Sequence, residues 1–450
     1  MMKSESFALA APVMNGPPTP GLRAAESAAA SFSAARFVLL AALLVAPLAF
    51  GAVEPWSWAC LILASLLTLL FWAVGCLKVG SIRIIWSPLY LPLGLFLLLA
   101  TYQYFGHRTL ASAETRECLL KLAADALVFF LVLQLAETTP NRQWRGFGLA
   151  VCVYALGLAL FAVLQFFSSH DQIYWSVRLP PGNVVFGPYE NHNHYAGLME
   201  MLIAISACFV FSLRKTPGIR RLMAIAVVVA VAAFLLSGSR GGMISLTIEA
   251  IILAIVIGRQ SSGRRGGAVI MGTLAAALLA FLWMDPGAVS KRLETVFRPS
   301  HWSTGEDFKS RLVVSLDSLK ILQDYPWLGA GLGSFETVYT RYRSFPSDLD
   351  WDHAHDDYAE VFAETGLIGG SLIVTAVALF LAGAFRNARR SEGAADWIQL
   401  GAAIGCCGLL VHSFMDFNFH VPANAMWFAT CAALAQSRRE RTPRVAHRST

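Results

Sequence analysis

Charge is what this sequence has least of. Only 14% of its 450 residues are Asp, Glu, Lys or Arg, where an ordinary soluble domain carries about 25%; an ordinary water-soluble enzyme is excluded. The cysteines lack any C-x-x-C arrangement. Cys60, Cys76, Cys118, Cys152, Cys208, Cys406, Cys407 and Cys431 all lie within or at the edge of apolar runs, which argues against a zinc ribbon or disulfide scaffold and for buried free thiols. No internal repeat is visible. A cleaved signal peptide is not expected, because the first apolar run starts late and has no clear small-residue cleavage site. The net charge of +6 is too modest to suggest a nucleic-acid partner and reads as membrane topology instead.

What is there is apolar. Hydrophobic residues make up 56% of the chain and the mean hydropathy is +0.56. They fall in runs of about 20, the length that spans a hydrocarbon core of about 30 Å. About twelve spans are expected, at 36–53, 56–77, 86–105, 118–137, 147–168, 194–213, 222–238, 241–258, 267–284, 362–385, 396–414 and 421–436. The fold class is therefore an all-α polytopic membrane protein, with residues 36–436 as the bundle. Residues 1–35, rich in Ala, Ser and Pro, read as a disordered cytoplasmic tail, and 437–450 as a basic one.

Orientation follows from Lys and Arg. Clusters such as Arg214, Lys215, Arg220 and Arg221, then Arg259, Arg264 and Arg265, then Arg438, Arg439 and Arg441, alternate with segments holding only Arg108, Arg116, Lys121, Arg178 and Arg240. Both termini are then cytoplasmic, and the opposite side holds two polar segments: 169–193 and a long loop at 285–361 between the ninth and tenth spans. A connection of that length implies a folded lid or active-site segment.

The candidate functional residues collect on this outer side. Arg240 lies in LLSGSRGGMISL with no room for a real loop, and an ionisable residue at the membrane edge is a functional candidate by default. Ser237, Gly238, Ser239, Gly241 and Gly242 permit close backbone approach, and a helix begins at once, an arrangement suited to a phosphate; snorkelling to the headgroups is the plainer alternative. Arg311 opens a stretch in which Val313, Val314, Leu316, Leu319, Ile321 and Leu322 form a helical apolar face, expected on the membrane surface or against the bundle. Tyr325-Pro326-Trp327 stops that helix, and Gly329, Gly331 and Gly333 form a tight turn that lacks the Lys-Ser/Thr of a phosphate loop.

His355, in DLDWDHAHDDYAEVFAETGLIGG, stands where the outer loop re-enters the membrane. An imidazole can take a proton near neutral pH, and Asp356 or Asp357 would orient it. His353 and His355 form one H-x-H pair, and His192 and His194 another; scattered acids make a metal site the lesser reading. Phe186, Tyr189, Tyr174, Trp175 and Trp302 read as an interfacial aromatic belt, and Asp416 and His420 as weak candidates in the last outer turn.

The stretches LLSGSRGG at 235–242, RLVVSLDSLKILQDYPWLGAGLGSF at 311–335 and HAHDDYAEVFAETGLIGG at 353–370, with FGPYENHNHYAGLMEM at 186–201 and PLAFGAVEPWS at 47–57, together resemble the O-antigen ligase/polymerase family of bacterial inner-membrane glycosyltransferases. The similarity covers about 185–375. It implies a GT-C-like bundle acting on the periplasmic face, with a glycan on undecaprenyl diphosphate as donor, a lipid or glycan hydroxyl as acceptor, and neither metal nor other cofactor. It also implies that Arg240 and Arg311 bind the donor diphosphate and that His355 is the catalytic histidine in a His–polar–x9–Gly pattern completed by Asp356 and Gly366. Asn193 matches an asparagine frequent before the sixth helix; His194, His353 and Asp357 are possible supports. Asp356 departs from the amide or serine common at its position. The alternatives are protein O-oligosaccharyl transfer, a polysaccharide or lipid transporter or flippase, and a metal-dependent membrane hydrolase built on the H-x-H pairs.

Overall fold

The computed structural model describes residues 20–169, 172–179, 184–260, 308–346, 351–387 and 393–437, with Gly272 and Ala275. Its helices are α1 (Pro20–Val45), α2 (Pro55–Val79), α3 (Tyr90–Phe105), α4 (Ser112–Glu137), α5 (Asn141–Ser168), α6 (His192–Ser212), α7 (Pro217–Ser237), α8 (Arg240–Gln260), α9 (Phe308–Asp324), α10 (Phe335–Tyr339), α11 (Asp357–Asn387), α12 (Ala394–His412) and α13 (Pro422–Gln436). Among the described residues the only ladder is β1 (Gln172–Ile173) against β2 (Val177–Arg178), antiparallel. Each expected span falls on a helix except 267–284, of which only Gly272 and Ala275 are described. Among the described residues, nine helices are long and apolar enough to cross a membrane; α3 and α13 are shorter.

Residues 20–35, expected in a tail, belong to α1. An Ala-rich stretch with no proline after Pro20 has high helix propensity, and Pro20 stands at the first helical position, where its missing N–H costs nothing. Proline also opens α2, α7 and α13.

Burial orders the bundle. The apolar window of α6 is 83% buried and that of α11 22%, so α6 is central and α11 peripheral. Gly401 and Gly405 of α12 lie directly on the backbone of α6 at Ile205 and Met201, the close approach that small residues four apart allow in membrane helix pairs. Leu63, Leu66 and Leu70 of α2, Leu95 and Leu98 of α3, and Leu160 and Leu164 of α5 are exposed. An exterior this apolar suits lipid and not water. All eight cysteines are free thiols.

At one end of the bundle the start of α6, the α7–α8 turn, the start of α11 and the α12–α13 turn come together. His192 Nδ1 lies 2.9 Å from the Ser237 carbonyl oxygen, Asp357 N–H donates to Ser413 O at 2.9 Å, and Asn424 Nδ2 donates to His194 O at 2.9 Å. A small second core covers this end: Val314 and Ile321 of α9 pack with Ala330, Phe335, Val338, Tyr339, Trp351, Ala354 and Ala363. Helix α9 thus docks by one face while Leu312, Leu316 and Leu319 stay exposed. The described part of the long loop is folded; 285–307 and 347–350 lie outside the described residues.

Two predicted belt residues are not at the surface. Phe186 and Tyr189 are buried, because the bridge between them turns the segment back into the bundle; Phe186 meets Tyr195 at 4.9 Å and Tyr189 Oη donates to Asn424 Oδ1 at 2.9 Å. Trp175 is exposed, and Trp302 lies outside the described residues.

Helix α11 breaks at Gly366 (φ 64°, ψ −167°). The break frees backbone groups on both sides, and the 326–331 turn takes them. Ala330 N–H donates to Ala363 O at 3.0 Å, Gly331 N–H to Glu364 O at 2.9 Å, and Leu367 N–H to Pro326 O at 2.8 Å. Gln103 of α3 completes the joint, donating to Leu328 O at 2.6 Å and Glu364 O at 2.9 Å and accepting from Leu332 N–H at 3.2 Å. Gln103 is fully buried, so Gln103→Leu strands Leu328 O and Leu332 N–H, while Glu364 O keeps its bond from Gly331 N–H. A loss of about 2 kcal/mol or more is expected, read as a lower melting midpoint of the detergent-solubilised protein.

Candidate active site

The centre of the polar end is Asp416, a fully buried carboxylate in the α12–α13 turn. His355 Nδ1 and His194 Nε2 each lie 3.7 Å from its Oδ1, and Arg311 Nη1 lies 3.8 Å from its Oδ2. Arg311 also donates to Met415 O at 3.4 Å. Burial alone would raise the Asp416 carboxyl, but the two imidazoles and the guanidinium outweigh it and hold it well below the usual carboxylate range. It is therefore a standing negative charge that three basic side chains share.

Local structure explains how each arrives. Arg311 sits in the first turn of α9, whose buried face anchors it. His194 is in the first turn of α6. His355 is buried and held at φ +52°, a left-handed conformation that non-glycine residues adopt at a cost of about 1–2 kcal/mol. Trp351 packs edge-on to its ring at 5.6 Å and Phe417 at 4.9 Å.

Arg240 is exposed at the start of α8 and reaches the same place by its backbone. The neighbouring Gly241 has no side chain because a Cβ there would lie 2.7 Å from His412 Cδ2 and 3.3 Å from Met415 Cβ. Gly241, next to Arg240, and Arg311 therefore both border Met415. One expected anion donor is used internally: Gly242 N–H donates to Ser239 Oγ at 3.1 Å, the serine capping the helix.

The supporting residues divide. Asp356 does not face His355. Its Oδ1 accepts from Tyr358 N–H at 3.0 Å and Ala359 N–H at 3.1 Å, and its Oδ2 from Ser315 Oγ at 3.1 Å; it caps α11 and ties it to α9. Burial raises its carboxyl against those three donors. Asp357 faces His420, with Nδ1 3.1 Å from Oδ1. Asn193 is buried, and its N–H donates to Asn191 Oδ1 at 2.8 Å; its placement is that of a helix-start residue.

His353 joins a different group. Its Nδ1 lies 2.8 Å from Glu360 Oε1, and His420 Nε2 lies 3.2 Å from the same oxygen. Burial lowers His353 despite Glu360. Burial would also lower His420, but Glu360 and Asp357 push it up to about 10. These ligand atoms lie within 4.8 Å of one another and are able to hold a metal ion. The Phe417 ring separates the two groups, 4.6 Å from His194, 4.9 Å from His355 and 4.4 Å from His353. His412, at the end of α12, adjoins this cluster: it pairs with the buried Glu200 at 2.8 Å and its Nε2 lies 3.4 Å from Ser239 Oγ, while Glu249 is buried within α8.

Sequence reasoning ranked Asp416 and His420 too low. The signal available was that both stand in the short turn between the last two apolar runs, where an acid and a histidine are costly without partners.

Residues 225–374 match the family model described as O-antigen ligase. The matched segment contains Arg240, Arg311, His353, His355 and Glu360, while His194, Asp416 and His420 lie outside it. No curated protein matches the chain.

Proposed function

We propose that this chain, a member of the O-antigen ligase family by its residues 225–374, transfers a glycan from a polyprenyl diphosphate to an acceptor hydroxyl. The observation that carries this reading is the convergence of His355, Arg311 and His194 on Asp416, beside the helix start that bears Arg240.

In the reaction, the acceptor oxygen forms a bond to the anomeric carbon as the bond from that carbon to the diphosphate oxygen breaks, inverting the centre. The hydroxyl proton goes to His355, and the diphosphate leaves as an anion. Asp416 offsets the positive charge that His355 gains, which is the role of an orienting carboxylate beside a histidine base. Contacts of this kind are long in a substrate-free site and tighten around substrate. Arg240 and Arg311 neutralise the departing diphosphate, and fixed guanidinium groups in a poorly hydrated site do so strongly. No magnesium is needed for that task. The donor is undecaprenyl diphosphate-linked glycan, the bundle lies in the bacterial inner membrane, and the site opens to the periplasm.

The test is transfer in vitro from an undecaprenyl-diphosphate glycan without added Mg²⁺. Arg311→Ala is expected to lower kcat/KM by about 10²–10³-fold. Arg311→Lys should restore only part of that, because an ammonium cannot offer a planar fork to two phosphate oxygens. Transfer at the wild-type rate in Arg240→Ala and Arg311→Ala alike would reject the donor assignment. The acceptor is read from a deletion strain: single repeat units accumulating on carrier lipid indicate a polymerase, and long lipid-linked chains a ligase.

A further inference from the structure

The geometry points to a zinc site formed by His353 Nδ1, Glu360 Oε1 and His420 Nε2, separate from the transfer chemistry and fastening the His355 segment to the α12–α13 turn. Zinc takes imidazole nitrogen at about 2.0–2.1 Å and carboxylate oxygen at about 2.0–2.2 Å, which puts neighbouring ligand atoms of a tetrahedral site about 3.3 Å apart. Here the two nitrogens stand 2.8 and 3.2 Å from Glu360 Oε1. Both imidazole nitrogens stand at or inside that spacing from the carboxylate oxygen, and all three atoms lie within 4.8 Å of one another.

The surroundings are those of a ligand set. A metal-bound imidazole commonly donates its other N–H to a carboxylate, which fixes the ring and its tautomer. His420 does so, with Nδ1 3.1 Å from Asp357 Oδ1. The second oxygen of Glu360 is held in the same manner, accepting from Ala354 N–H at 2.7 Å, so only Oε1 points at the imidazoles. Glu360 is almost fully buried, while the side chains of His353 and His420 keep 26% and 20% exposure, leaving an entry path and a fourth position for water. Two imidazoles and one carboxylate favour zinc over magnesium or calcium, which prefer all-oxygen shells. Zinc takes the place of the Nε2 proton of His420, which passes to solvent, and His353 binds as the neutral tautomer protonated on Nε2.

The mechanical consequence concerns two short segments. His353 is two residues from His355, and His420 ends the turn that carries Asp416 and Phe417. A zinc ion joining His353 to His420 locks those segments at the register that sets His355 against Asp416.

The experiment measures metal in the full-length protein purified in detergent, and its readout does not depend on transfer. About one zinc per chain is expected. It should be lost in His353→Ala, Glu360→Gln and His420→Ala, and kept in His355→Ala, whose imidazole faces Asp416. Asp357→Asn should weaken zinc binding by about 10–100-fold. Because a ligand variant can fail to fold, the wild-type protein is also stripped with chelator and titrated with Co²⁺, where a tetrahedral visible absorption band is expected. Zinc content unchanged in the three ligand variants would mark adventitious metal and overturn the site. So would metal-free wild type that gives no cobalt band.

Discussion

His355→Ala is expected to lower kcat of glycan transfer by about 10²–10⁴-fold, the usual worth of a positioned general base, while the donor is still bound. The split follows from the layout: the diphosphate contacts are assigned to Arg240 and Arg311, which come from the α8 and α9 helix starts, and His355 belongs to the segment leading into α11. Donor retention is read from binding of labelled undecaprenyl-diphosphate glycan to the purified variant, and kcat from product formed at saturating donor. Asp416→Asn keeps the shape of the side chain and removes the charge shared by His194, His355 and Arg311. It should lower kcat by less than the loss of His355 itself, and the double variant should be no worse than His355→Ala, since the two act as a unit. Unaltered kcat in His355→Ala sinks the base assignment. Equal and additive losses in the two variants would mean that Asp416 acts on something other than His355.

The second large effect is structural and lies away from the reacting groups. Gly366→Ala is expected to destabilise the protein by about 3 kcal/mol or more, or to prevent its accumulation in the membrane. At φ 64° and ψ −167° the backbone occupies a region open essentially to glycine alone, where other residues cost about 1–3 kcal/mol. Space makes matters worse, because a Cβ would run into the Trp327 carbonyl group and the Gly329 nitrogen. That wall is backbone and cannot swing aside as a side chain tip would. Retreat of the 326–331 turn would break the bonds of Ala330, Gly331 and Leu367 that close the helix break. The readout is the melting midpoint in detergent, with Gly157→Ala as the control, since nothing within 4 Å would meet a Cβ there. A Gly366→Ala protein as stable as that control would show that the joint yields more readily than its bonding implies.

These two expectations differ in how far they were legible beforehand. The spacing from His355 to Gly366 was legible only through the family resemblance, and its physical content is now apparent. Nine residues of helix separate the imidazole-bearing segment from a break whose exposed carbonyls clasp the Gly329–Gly331 turn. The tight turn was readable from its glycines and from Tyr325-Pro326-Trp327; what it grips was not, because the gripped groups are backbone atoms exposed only once the helix breaks. The same holds for α9. Its apolar periodicity announced an amphipathic helix, on the membrane surface or against the bundle, with Leu316 and Leu319 on the same face as Val314 and Ile321. The structure buries Val314 and Ile321 and leaves Leu312, Leu316 and Leu319 exposed.

By itself the chain determined the membrane class, the order of the helices and the end of the bundle where polar chemistry gathers. Hydropathy, run length and proline placement are properties of a segment and its solvent, so they need no knowledge of neighbours. Tertiary structure alone decided who partners whom. Asp356, adjacent to His355, turns away to cap α11, and Asp416, in the turn between α12 and α13, takes the place beside the imidazole. The choice rests on the packing of α6 against α12 and on the fold of the α12–α13 turn, which bring residues distant along the chain within one contact. Separation in sequence carries no record of that distance.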